Sequence, residues 1–128
     1  MDVLLIWLAT TAVFLGVDAV WLKTVMRPLF ERHVGALLLA SPRLGVAAGF
    51  YVFYCLGIAY FAVLPALEGG GLWAAVRDGA ILGLLAYGTY EATNLATLKG
   101  WHWSMSVVDT LWGGALSALA AAAGYLVA

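Results

Sequence analysis

The chain has 128 residues, 65% hydrophobic and only 10% charged, with a net charge of -1. Soluble domains run near ~45–50% apolar and ~25% charged, so this composition excludes an ordinary soluble protein and indicates an integral membrane protein. The near-neutral charge and the lack of a basic aromatic surface give no reason to expect nucleic acid, and a single cysteine, Cys55, excludes an intramolecular disulfide.

About four spans of ~20 residues fit this length as one domain over residues 1–128. The first apolar run extends from about Val3 to Leu22. An acid precedes it and cations follow it, the reverse of a secretory signal, so it reads as a retained first span. Next comes "KTVMRPLFERHVGALLLASPRLG", a mixed stretch with Pro28 and Pro42 around a short apolar segment. It is too short to span and reads as an interfacial helix. The second run covers about Leu44 to Leu67 and ends in "PALEGGG", where Pro65 and the glycines predict a helix end and a tight turn. The third runs from about Leu72 to Leu98 and the fourth from about Met105 to Leu126. The expected fold is therefore all-α, with four transmembrane helices in one bundle and a short interfacial helix between the first and second.

Lys23, Arg27, Arg32 and Arg43 fall in the first connection and Lys99 in the third, whereas the second holds Glu68. The positive-inside rule then places the first and third connections in the cytoplasm and both termini outside. Cysteine labelling of Arg32→Cys in intact cells should succeed only after permeabilisation; labelling from outside would overturn this orientation. Trp101 and Trp103 suit the inner aromatic belt, and Trp73 and Tyr125 the outer one. Small residues recur four apart at Gly45 and Gly49, Gly79 and Gly83, and Gly114, Ala118 and Ala122. Such faces permit close helix approach within the chain or in a homodimer.

Asp18, Glu91 and Asp109 lie inside predicted spans. An Asp at a helix centre costs about 2.5–3.5 kcal/mol to insert, which marks these positions as candidates for function. Asp18 precedes Lys23 by ~7.5 Å of helix rise and Glu91 precedes Lys99 by ~12 Å. Asp109 closely follows the same inner connection, so all three acids are expected at one depth, in the cytoplasmic half. Tyr87, Tyr90, Glu91, Asn94 and Thr97 share one side of the third helix. Ser106, Asp109, Gly113 and Ser117 share a face of the fourth, and Thr11 lies on the Asp18 side of the first. Tyr51 and Tyr54 can join them from the second. Lys23 is turned ~140° from Asp18 on its helix, whereas Lys99 lies closer to the Glu91 face. Both lysines also suit snorkelling to the interface. The candidate polar pocket comprises Asp18, Trp21, Tyr87, Tyr90, Glu91, Asn94, Lys99, Asp109 and Trp112. His33 and His102 stand on separate segments without cysteine beside them, a weak metal spacing, so neither a metal nor another cofactor is expected. A short echo links "VDAVW" at Val17–Trp21 to "VDTLW" at Val108–Trp112.

The stretches "FYVFYCLGIAYFAVLPAL", "GLLAYGTYEATNLATLKGW" and "VVDTLWGGAL", with "VDAVWL" in the first run, resemble a bacterial family of small four-helix membrane proteins. That family is the domain of unknown function numbered twenty-one seventy-seven. Asp18, Trp21, Tyr87, Glu91, Asn94, Lys99, Trp101, Asp109, Trp112 and Gly113 match its pattern, while Glu91 replaces a more frequent Asp and His102 a more frequent Pro. The resemblance implies four helices and an association with enzymes that modify membrane fatty acids, and it brings no catalytic assignment. No HExxH, P-loop, GxGxxG or Ser-His-Asp order occurs, so an enzymatic reading would rest on the carboxylates. The acids' depth favours binding or helping to modify a lipid-like molecule, with membrane lipid as the partner. A small proton-coupled transporter acting as a dimer and a structural or accessory subunit are the alternatives.

Overall fold

The computed structural model describes residues 2–39 and 43–128, which are all-helical apart from short connections. α1 (Val3–Trp21) starts where the Asp2 carboxylate accepts from the Leu5 N–H at 3.2 Å, an N-cap that satisfies one free amide. It does not end at Trp21. A π-helical turn, Leu22–Met26, carries it into α2 (Arg27–Val34), followed by a 3₁₀ turn at Gly35–Leu37. The interfacial segment expected as a separate helix is thus continuous with α1. Pro28 lies in the first turn of α2, where a missing N–H is tolerated, and the wider π turn before it shifts the hydrogen-bond ladder past the ring. Pro42 lies outside the described residues.

α3 (Leu44–Ile58) continues through a second π turn, Ala59–Val63, and the helical backbone passes straight through Pro65. The expectation that Pro65 ends this helix is corrected: its φ of -61° and ψ of -35° are helical. The reversal falls at the glycines instead, where Gly69 (φ 139°) and Gly71 (φ 76°) occupy backbone conformations that side chains disfavour. α4 (Gly71–Thr97) then returns alongside Ala59–Val63 and Ala66–Gly70. After a turn at Gly100, α5 (Trp103–Val127) begins with the His102 ring accepting from the Ser104 N–H at 3.2 Å. Three helical stretches are long and apolar enough to cross a membrane: Val3–Leu37, Leu44–Thr97 and Trp103–Val127. The second contains the Gly69–Gly71 reversal.

α4 and α5 form the most extensive pair, α1 packs on α5, and α3 leans on α1. α1 and α5 run antiparallel, since Asp18 meets Trp112 while Thr10 lies beside Gly124. The core joins Ile6, Phe14, Cys55, Ile58, Val63 and Leu116. The outside is equally apolar: Phe50, Phe53, Phe61, Trp73 and Leu111 are all more than 60% exposed. In water such a surface would drive association, but it suits contact with lipid tails.

The small-residue faces are used unequally. A Cβ on Gly79 would come within 2.8 Å of the Ser117 carbonyl, and one on Gly83 would collide with the Gly113 carbonyl. Gly45 and Gly49 of α3 have none of the described residues within 4 Å of such a Cβ. The close-approach pattern therefore operates between α4 and α5 inside one chain, and not along the first half of α3.

Candidate functional site

The two halves of the sequence echo meet in space. The Trp112 indole N–H donates to Asp18 Oδ1 at 3.1 Å, and the Trp112 ring stacks on Trp21 with centroids 4.1 Å apart and planes 6° apart. An Asp followed three residues later by Trp puts the two side chains on neighbouring turns. On antiparallel helices, that spacing lets a tryptophan of one reach the aspartate of the other. The reciprocal bond is not made: the Trp21 indole nitrogen is buried without a hydrogen-bond partner among the described residues.

Asp18 is 3% exposed and Asp109 7%, and both border a cavity of about 590 Å³. All five helices contribute to its walls. α3 supplies Val46, Ala47, Phe50, Tyr51 and Tyr54, α4 supplies Ala86, Tyr87 and Tyr90, and Leu22, Phe30 and Arg43 complete the rim. The space exists because α4 packs on the Ala59–Val63 end of the preceding helical stretch, while the first half of α3 leans towards α1. Phe14 braces that side, with its ring centroid 5.3 Å from Tyr51 and 5.5 Å from Tyr54. The Tyr54 hydroxyl is 2.8 Å from Ser117 Oγ, whereas the Tyr87 hydroxyl is buried without a partner among the described residues. Beyond Ser117 the bundle is filled by Ile6, Val63, Ala120 and Ala121, all fully buried, so the cavity belongs to one end.

Glu91 stands apart from this lining. It is fully buried, and its Oε1 accepts from the Trp101 indole N–H at 2.9 Å. Its backbone carbonyl accepts from Ser106 Oγ at 3.2 Å. Its Oε2 has no hydrogen-bond partner among the described residues, and the Glu91 carboxyl lies beside that of Asp109. The three acids are therefore neighbours, with Asp18 and Asp109 on the cavity and Glu91 behind Asp109. A shared proton or a bound cation would relieve the two facing carboxyls.

The other expected positions divide. Tyr87 and Tyr90 line the cavity, and Trp21 and Trp112 form the stack behind Asp18. Asn94 is half-buried beside the Tyr90 phenol, off the lining. Lys99 is exposed beyond the end of α4. Among the described residues the ion pairs are Arg27 with Glu31 at 3.1 Å and Arg77 with Asp78 at 3.0 Å, so neither Lys23 nor Lys99 neutralises a buried acid. Arg43, Phe30 and Phe50 on the cavity wall were not expected from sequence. Arg43 counts there only as a topogenic charge, and nothing in its spacing links it to Asp18. Trp101, expected as an interface anchor, instead turns its N–H inward to Glu91. α2 closes over this corner, with Phe30 5.6 Å from Trp101 and the His33 ring stacked 4.4 Å from His102.

The family described as predicted membrane protein (DUF2177) matches residues 3–126, from the first residue of α1 almost to the end of α5. The chain belongs to that family. Membership accords with the apolar exterior and the three membrane-length helical stretches. No curated protein and no solved structure matches the chain.

Proposed function

We propose that this membrane protein holds a lipid-like amphiphile, head group first, in the cavity between α3 and α4. In this reading α1, α3, α4 and α5 each cross a bacterial inner membrane, and α2 lies at the cytoplasmic interface. Both termini are outside. Lys23, Arg43 and Lys99 then mark the same side as the cavity, and Asp18 lies about 7.5 Å of helix rise inside Lys23. That depth is the boundary between head groups and acyl chains.

The observation that carries the reading is the composition of the cavity wall. Buried Asp18 and Asp109 stand at its polar end, while Val46, Ala47 and Phe50 belong to the exposed first half of α3. A molecule spanning both must be polar at one end and apolar at the other. A volume of about 590 Å³ holds about twenty water-sized groups. It accommodates a head group with part of a chain, and the remaining acyl chain stays in the bilayer.

The Glu91–Asp109 pair also suits proton carriage, which favours a small proton-coupled transporter as the second reading. The filled core beyond Ser117 leaves that reading without a path to the other side in this conformation.

Ala86→Trp tests the amphiphile reading, because Ala86 lines the cavity and a bulky ring there occupies its volume. Native mass spectrometry from mild detergent should show lipid retained by the wild type and lost from Ala86→Trp, with helicity unchanged. Equal retention by both would overturn it.

A further inference from the structure

We propose that the cavity selects an amphiphile whose head group is an ammonium bearing N–H donors. This rests on the reading of the cavity as an amphiphile site and names the chemistry of the head group. Asp18 and Asp109 are more than nine-tenths buried on the cavity wall, and among the described residues no lysine or arginine pairs with either. Asp18 takes one N–H, from Trp112, and Asp109, whose carboxyl faces that of Glu91, accepts none from any described N–H or phenol. The buried Tyr87 oxygen beside them is also unpartnered among the described residues. These groups share one need, a donor with positive charge.

The remaining walls fit the same guest. Tyr51, Tyr54, Tyr87 and Tyr90 surround the space, and aromatic faces attract organic cations strongly once water is excluded. An anionic head group would meet two carboxylates. A hydroxyl would leave their charge uncompensated. A quaternary ammonium would satisfy charge and ring faces but give no hydrogen to Tyr87 or Asp109. A small metal cation would make no use of the apolar wall formed by Val46 and Phe50. Arg43, on the rim, adds an anion-binding group beyond the acids. Two sources supply the shared chemistry: a long-chain amine, or a phospholipid whose amine enters the cavity while its phosphate meets Arg43.

Five dodecyl probes, titrated calorimetrically into the full chain in a neutral maltoside detergent, separate these possibilities. Dodecylammonium should bind ~30-fold more tightly than dodecanol, the factor that a desolvated cation–aromatic contact supplies. Dodecyltrimethylammonium should fall between them, and dodecanoate should be weakest. Asp18→Asn and Asp109→Asn should erase the preference while keeping dodecanol binding, which also reports that the variants are folded. Dodecylphosphoethanolamine tighter than dodecylammonium, with that gain lost in Arg43→Gln, identifies a zwitterionic phospholipid as the source. The opposite order identifies an amine. Dodecanol binding as tightly as dodecylammonium overturns the ammonium assignment and leaves the amphiphile site standing. Binding of none of the probes overturns both.

Discussion

Gly83→Val should break the α4–α5 pairing, whereas Gly45→Val should leave the bundle intact. A Cβ at Gly83 collides with the carbonyl of Gly113 and comes within 2.7 Å of Ser117 Oγ. The first obstacle is helix backbone, which cannot rotate away as a side chain can. Forcing such a contact costs about 1–3 kcal/mol, occasionally more. The shift would propagate because α4 and α5 make the most extensive contact in the fold. At Gly45 an added Cβ meets none of the described residues within 4 Å. Thermal unfolding in detergent, followed by helicity, measures the difference. Equal losses in the two variants would show that the Gly83 approach is not what holds α4 to α5. A loss of dimer in Gly45→Val, with the monomer still folded, would instead place a partner on the exposed face of α3.

The same comparison shows where sequence patterns stop being informative. Gly45–Gly49 and Gly79–Gly83 carry one motif at one spacing, yet only the second lies against another helix. The motif states what two helices can do when they meet, and it does not choose which helices meet. Helix positions were more legible, since long apolar runs leave a membrane chain little alternative to helix. α4 at Gly71–Thr97 and α5 at Trp103–Val127 lie within two residues of the expected runs. The prolines misled because their effect was judged locally. Pro28 and Pro65 each follow a π turn, a ladder shift with no composition signature.

The acids were legible for a simpler reason. Distance along a helix converts directly into depth, and depth is shared by antiparallel neighbours, so Asp18, Glu91 and Asp109 were expected together. Their division into two on the cavity and one behind it depends on a tryptophan reaching back across the Gly100 turn. No periodicity describes that contact, because Trp101 lies outside both helices. Arg43 was missed similarly: it precedes the first residue of α3, and its place on the rim follows from how α3 leans.

Glu91→Leu should destabilise the protein, and Trp101→Phe added to it should restore much of the loss. The Glu91 carboxylate is the acceptor for the Trp101 indole N–H at 2.9 Å, inside a fully buried site. Leucine fills a similar volume but leaves that N–H facing an apolar group, at about 1–3 kcal/mol for a stranded donor. Phenylalanine at Trp101 removes the donor itself, so the two changes should compensate, and a double-mutant cycle isolates their coupling. Glu91→Gln provides the third corner of the argument. Its amide oxygen still accepts from Trp101, and its NH₂ can donate to Asp109 without any shared proton. Its stability should therefore stay near that of the wild type. Melting curves of the four variants in detergent decide the matter. If Glu91→Leu is as stable as the wild type, or if Trp101→Phe adds a further independent loss, the Trp101–Glu91 bond does not anchor this corner. The carboxyl behind Asp109 would then have to be explained by its charge alone.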